Sequence, residues 1–188
     1  MKPVGITGLV LAGGRGKRLG GADKGWVDWR GRPLVTYAIE RLAPQVAGLL
    51  ISANRNRERY ETLGHPVVAD RTPDYDGPLA GLQAGLGACM TPLLATVPCD
   101  APRLPLDLVA RLHAAIEAAD ADVAVASTRD GWQPTFLLCR CSVKAALDVW
   151  LAAGGRKAFD WLRTMKAIEV PFAEQEAFVN FNTPADLA

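Results

Sequence analysis

The 188-residue sequence predicts one α/β domain, a mostly parallel sheet between two layers of helices. Three observations lead there. Apolar runs short enough to be strands alternate at least four times with segments of helical spacing. The first of these runs passes straight into a glycine-rich loop. No internal repeat, low-complexity tract or linker divides the chain.

The run at 6–11 (ITGLVL) is apolar enough for a strand covered on both faces, and a loop at 12–25 follows it. Pro33 suits a first helical turn, 34–42 carries helical spacing, and Pro44 closes the segment. Residues 48–52 read as the second strand. A polar helix at 57–62 ends at Gly64, a residue suited to a left-handed cap, and 67–69 forms a short strand reaching Asp70. Pro78 opens an Ala- and Leu-rich helix to about Met90, 93–97 is a buried strand, and 105–119 is an amphipathic helix. After a strand at 123–127 the alternation gives way. The pattern there predicts a strand at 136–138, helices at 143–151 and 158–165, and short strands at Ile168 and Phe178.

Bulk properties narrow the function. A chain of this length buries most of the surface its unfolded form exposes, so a disulfide framework is unnecessary. Hydrophobic residues make up 49% and charged residues 22%, as in ordinary globular proteins. The net charge of +1 supplies no field that would gather nucleic acid or an anionic membrane, and neither is expected as a partner. The early apolar run precedes its basic residues and is too short for a signal or membrane segment, which leads to an expected cytoplasmic location. Cys89, Cys99, Cys139 and Cys141 form no CxxC pair, and His65 and His113 alone complete no zinc spacing. Reduced, mostly buried thiols are expected. The two histidines fall in no motif and read as surface or packing residues.

One stretch concentrates charge: Arg15, Lys17, Arg18 and Lys24 lie among glycines in the segment 11–25, LAGGRGKRLGGADKG. It sits where a strand ends and a helix should start. There, backbone N–H groups can meet phosphate oxygens, and glycines let the backbone approach closely. Arg18 and Lys24 would add compensating charge. The segment is neither a dinucleotide fingerprint, since Leu19 replaces the third glycine, nor a P-loop, since position 11 is Leu. A flexible basic loop is the ordinary reading of a glycine-rich stretch, but the full pattern here is more specific than that.

Asp100 ends the strand at 93–97, and ligands of open α/β sheets gather beyond the carboxyl ends of strands. A carboxylate there suits Mg2+, which keeps several waters and bridges phosphates through one or two protein carboxylates. A cap for the helix after Pro105 would lie closer to it. Asp70 also follows a strand, where ligand-binding and turn-forming roles are equally open. Asn180 and Asn182 alternate along an extended segment and share one face, offering amides to a ligand or to the turn into Pro184.

Residues 11–20 fit, position by position, the signature LAGGxGxRhG (h apolar) of the nucleotide-diphosphosugar transferase superfamily, which the chain resembles. The continuation 21–25, GADKG, resembles the narrower molybdenum cofactor guanylyltransferase family, whereas sugar nucleotidyltransferases more often place a proline before that lysine. The resemblance runs on through Ala53-Asn54-Arg55, Asp70, 74–81 (DYDGPLAG), Pro98-Cys99-Asp100 and 180–184 (NFNTP), nearly the whole chain.

This resemblance implies a Rossmann-like, three-layer fold of the nucleotide-diphosphosugar transferase type. It also implies Mg2+-dependent transfer of GMP from GTP to molybdopterin. Leu11, Ala12, Gly13, Gly14, Lys24, Ser52, Asp70, Gly77, Gly81 and Asp100 would bind the nucleotide, and Asp100 would hold Mg2+. Arg18, Lys24 and Asp100 would carry the catalysis, and Asn180 and Asn182 would meet the acceptor. Residues 1–105 would form the nucleotide half and 106–188 the acceptor half. A molybdenum insertase is the implied transient protein partner.

The acceptor is a phosphate, anionic at neutral pH, so no general base is required for its attack on the α-phosphorus. Two departures stand out: Ser52 occupies a position where the family often has Asn, and Gln133-Pro134-Thr135 stands where His-Pro-Thr is common. Two other functions compete. A cytidylyltransferase acting on molybdopterin or another phosphate acceptor would differ in nucleotide preference. A noncatalytic nucleotide-binding regulator of cofactor assembly would need neither Asp100 nor the acceptor motif.

Overall fold

A computed structural model describes residues 5–13, 23–70 and 77–187. Gly14 and Arg18, both expected at the nucleotide phosphates, lie outside the described residues.

The core is a seven-stranded sheet in the order β5-β4-β1-β6-β8-β7-β9. Its members are β1 (Ile6–Leu11), β4 (Gly48–Ser52), β5 (Val67–Val68), β6 (Leu93–Pro98), β7 (Val123–Thr128), β8 (Gly131–Arg140) and β9 (Ala167–Pro171). All run parallel except β8, which pairs antiparallel with both β6 and β7. The chain moves outward from β1 through β4 to β5, then returns to place β6 on the other side of β1. That reversal marks the position where open α/β sheets bind ligands.

Alternation along the central strands feeds two apolar layers. Ile6 and Val10 of β1 pack on one face with α1 (Leu34–Leu42) and α4 (Leu108–Ala118). Leu9 packs on the other with α3 (Pro78–Ala88), α5 (Lys144–Ala152) and α6 (Ala158–Leu162). A short α2 (Arg57–Glu61) ends near Gly64, whose φ of +78° is the left-handed cap expected from the sequence. Helix α4 begins three residues later than expected because Gln45, 8% exposed, holds the chain before it. The Gln45 Nε2 donates to the Pro105 carbonyl at 2.9 Å, and its Oε1 accepts from Val109 N–H at 2.9 Å. No helix among the described residues is long and apolar enough to cross a membrane.

Three elements differ from expectation. Phe178 is not in a strand but ends a 3-10 turn, Gln175–Phe178, with its ring 4.9 Å from Phe136 and 5.0 Å from Phe172. Strand β8 is ten residues long, where the sequence suggested only its centre. Its pairing with β7 shifts register between Val125 and Ser127, and Pro134 lies in that irregular stretch, where its missing N–H costs no ladder bond. A small hairpin, β2 (Asp28–Trp29) with β3 (Arg32–Pro33), was not anticipated. It turns through Arg30 and Gly31, both at positive φ, with the Asp28 carboxylate accepting from Gly31 N–H at 3.0 Å.

Candidate functional site

Strands β1, β4 and β6 are in register at their carboxyl ends, where Leu11 pairs with both Ser52 and Pro98. Beyond that edge opens a cleft of about 270 Å³. Leu11, Gly13, Ser52 and Asp70 line one side of it, and Gly77, Pro78 and Gly81 line the entry to α3. Lys24, Asp100, Thr135 and Asn180 complete the wall. Most of the described residues expected at the site thus face a single space, whereas Asn182 is not among its lining.

The first side is built from close approaches. The Asn54 side-chain amide donates to Asp70 Oδ2 at 2.6 Å and accepts from Asp70 N–H at 2.9 Å, a two-way clamp between the segments after β4 and β5. A Cβ at Gly13 would stand 3.4 Å from Asn54 Nδ2, so the loop lies in van der Waals range of this clamp. A Cβ at Gly81 would sit 2.7 Å from Ser52 Oγ and 2.8 Å from Leu11 Cδ2, which fixes how near α3 rides to the strand ends. Gly77, at φ +77° and ψ −163°, occupies backbone space closed to side chains and starts that helix. Ala12 is buried, and its N–H is committed to the Ser52 carbonyl at 2.8 Å, so it supports the neighbouring loop and does not line the cleft.

The second side is electrostatic. Lys24 Nζ lies 3.2 Å from Asp100 Oδ2 and also donates to Asn182 Oδ1. Asp100 is only 4% exposed, and that burial raises its carboxyl above the ordinary range against the opposing pull of the Lys24 ammonium. Phe181 N–H donates to the Asp100 carbonyl at 2.8 Å, bringing the C-terminal segment onto the loop after β6. Asp186 caps that segment, accepting from Asn182 N–H at 2.9 Å and Thr183 N–H at 2.7 Å. These donors, with the Thr183 hydroxyl, hold its carboxyl below the usual value. The Asn180 Oδ1 is buried and has no hydrogen-bond partner among the described residues. Gln133, by contrast, turns back on its own hairpin, donating to Thr128 Oγ1 at 3.2 Å. His113 lines a separate groove with Gln45, and neither histidine lines the cleft.

A set of positioning residues escaped the sequence reading. Asp23 precedes the 3-10 turn Lys24–Trp26 and accepts from Gly25 N–H at 3.3 Å, from the Tyr60 hydroxyl at 2.6 Å and from Asn56 Nδ2 at 2.9 Å. Burial pushes the fully enclosed Tyr60 phenol far up, so it stays a donor at every working pH. Nothing in the sequence pairs positions 23 and 60; a buried polar aromatic on a short helix is the only hint. We expect Tyr60→Phe to destabilise the fold by about 1 kcal/mol, as for one lost hydrogen bond. It should lower kcat several-fold through misplacement of Lys24; unchanged kcat alongside the lowered melting temperature would limit Tyr60 to packing.

Asp100 also meets the requirements of a small divalent cation. It is a hard oxygen donor at a strand end, and a second positive charge would offset the desolvation that raises its carboxyl. Among the described residues no group of three or more His, Cys, Asp or Glu could cage a metal by itself, so such an ion would share its coordination with substrate and water.

A MobA-like NTP transferase domain matches residues 8–168. The chain belongs to that family. It is a nucleotidyltransferase, a class of chemistry that draws on a divalent cation. Among full-length relatives, molybdenum cofactor guanylyltransferase of Burkholderia ambifaria is 51% identical, the alignment covering 97% of this chain and 94% of the relative. The molybdenum cofactor guanylyltransferase of Polynucleobacter asymbioticus is 47% identical, with coverage of 100% and 96%. The fold matches the crystal structure of molybdopterin-guanine dinucleotide biosynthesis protein A from Archaeoglobus fulgidus with a TM-score of 0.79 at 24% identity, covering 96% of this chain and 94% of that one. The single α/β domain with a mostly parallel sheet, expected from the sequence, is therefore the fold of this family.

Proposed function

We propose that the protein transfers GMP from GTP to molybdopterin, forming the guanine dinucleotide form of the molybdenum cofactor and releasing pyrophosphate. The observation that carries this reading is about 50% identity, over essentially the whole chain, to molybdenum cofactor guanylyltransferases. The arrangement of charge in the cleft supports it.

In this reading GTP lies across the carboxyl ends of β1 and β4, against Leu11, Gly13, Ser52 and Asp70, with Gly77 and Gly81 shaping the wall beside it. Gly14 and Arg18 join by their place in the loop signature. Lys24 neutralises phosphate charge, and its bonds to Asp100 and Asn182 hold its ammonium at the junction of the two halves of the site. Asp100 would hold Mg2+, which when bound withdraws charge from the phosphate oxygens.

The acceptor phosphate attacks the α-phosphorus in line as the bond to pyrophosphate breaks. Because the attacking oxygen is already anionic, no protein base is needed, and the catalysis is positioning plus charge neutralisation. Asn180 presents a buried acceptor oxygen that an N–H of the pterin would satisfy, and Asn182 orients Lys24 on the same side. Residues 1–105 serve the nucleotide and 106–188 the acceptor, in a cytoplasmic enzyme that receives its pterin from a molybdenum insertase.

The test is pyrophosphate release with Mg2+, molybdopterin and each of GTP, CTP, ATP and UTP in turn. Release with GTP alone is expected. A CTP preference would make the enzyme a cytidylyltransferase, and silence with all four despite GTP binding would make it a noncatalytic regulator.

A further inference from the structure

The cleft occupies the edge where the parallel strands end. At the opposite edge, one strand length or about 20 Å away, a second cluster of reactive groups gathers. Cys89 closes α3 there, and Cys141 follows β8, whose Arg140 pairs with Leu93 at the start of β6. The two sulfurs meet over the chain that links α3 to β6. Cys89 Sγ lies 3.4 Å and Cys141 Sγ 3.1 Å from the same Thr91 carbonyl oxygen, so the sulfurs are at most 6.5 Å apart, the sum of those distances. The Thr91 hydroxyl lies 3.3 Å from Cys89 Sγ. Both residues are half-buried, within reach of a small solute, whereas Cys99 and Cys139 are fully enclosed. The catalytic reading uses none of this.

We propose that Cys89 and Cys141 form a peroxide-reactive thiol pair that closes to a disulfide across Thr91. The neighbouring Cys141, with further help from Thr91 and Thr7, outweighs burial and holds the Cys89 thiol well below its ordinary value, which favours the reactive thiolate. Cys141 is pushed well up by the same contact and by burial, and keeps its proton. Cys89 is the attacking sulfur. Its thiolate displaces hydroxide or alkoxide from a hydroperoxide, breaking the O–O bond and becoming a sulfenic acid, while the leaving oxygen takes up a proton to give water or alcohol. The Cys141 sulfur then attacks the Cys89 sulfur. The S–S bond forms, the S–O bond breaks, and the departing hydroxide leaves as water with the Cys141 proton. In sum, two thiols and one hydroperoxide give one disulfide, one water and one alcohol, or two waters from hydrogen peroxide.

The reduced full-length protein should be treated with one equivalent of hydrogen peroxide, blocked with an alkylating reagent and mapped by peptide mass. The expected product is a Cys89–Cys141 cross-linked peptide that disappears on reduction, with Cys99 and Cys139 blocked only after unfolding. Oxidation of Cys141→Ser in the presence of dimedone should tag Cys89, and Cys89→Ser should abolish both the tag and the cross-link. A peroxide-treated wild-type protein whose Cys89 and Cys141 both remain free, a first adduct on Cys141, or a cross-link to another cysteine would overturn the proposal. The wild-type map decides the matter even where a serine variant folds poorly.

Discussion

Asp100→Asn should remove turnover, by about a thousandfold or more, while leaving the protein at least as stable as its parent. The amide keeps the size and one acceptor oxygen of the side chain but supplies no negative charge to hold a cation or to pair with Lys24, 3.2 Å away. The stability half follows from burial. A carboxyl whose folded value is raised contributes stability fully present below its ordinary value, 3.8, and lost as pH rises through the higher folded value. At neutral pH, then, the native Asp100 is a net burden on the fold that Asn relieves, and the difference between the two proteins should shrink as pH falls toward 3.8. Pyrophosphate assays and thermal melts on the same samples check both halves. Retained turnover at ordinary Mg2+ would sink the metal assignment.

Gly81→Val should cost about 1–3 kcal/mol of stability and raise KM for GTP, because it overpacks the contact between α3 and the strand ends. The first added carbon already meets Ser52 Oγ at 2.7 Å and Leu11 Cδ2 at 2.8 Å, a buried serine and a leucine that lines the cleft. Either those two side chains turn aside or the helix retreats with Gly77 and Pro78, and both changes reshape the wall beside the nucleotide. Gly87 on the same helix supplies the control, since a Cβ there meets nothing. Gly87→Ala should instead stabilise by about 0.5–1 kcal/mol with KM unchanged. Urea titrations and GTP saturation curves measure both. If both variants behaved alike, the glycine requirement would be one of helix propensity and not of close approach.

What could be read from the chain divides along physical lines. The β1, β4 and β6 strands were legible because strands covered on both faces are continuous apolar runs, and Asp100 and Asp70 were legible because they stand at strand ends. The eighth strand was read only in its centre because Pro134 and the register shift interrupt the period-two pattern that identifies strands. Around Phe178 an aromatic residue suits a strand, but in the folded chain its burial comes from stacking on Phe136 and Phe172 without a ladder. Within the cleft, Ser52 and Gly81 were each legible as candidates, but their mutual contact was not, since it depends on a helix-to-sheet distance that no spacing rule encodes. The same holds for Asp23 with Tyr60 and for Lys24 with Asn182.

The Lys24–Asn182 bond joins residues 158 positions apart, so the ribosome makes one side of the site well before the other. A ribosome adding 5–20 residues per second needs on the order of ten seconds to go from one to the other. For most of that interval the loop carrying Lys24 has already emerged while Asn180, Asn182 and the Asp186 cap do not yet exist. The order of synthesis therefore leaves the Lys24 ammonium without its Asn182 partner until the rest of the sheet has been made.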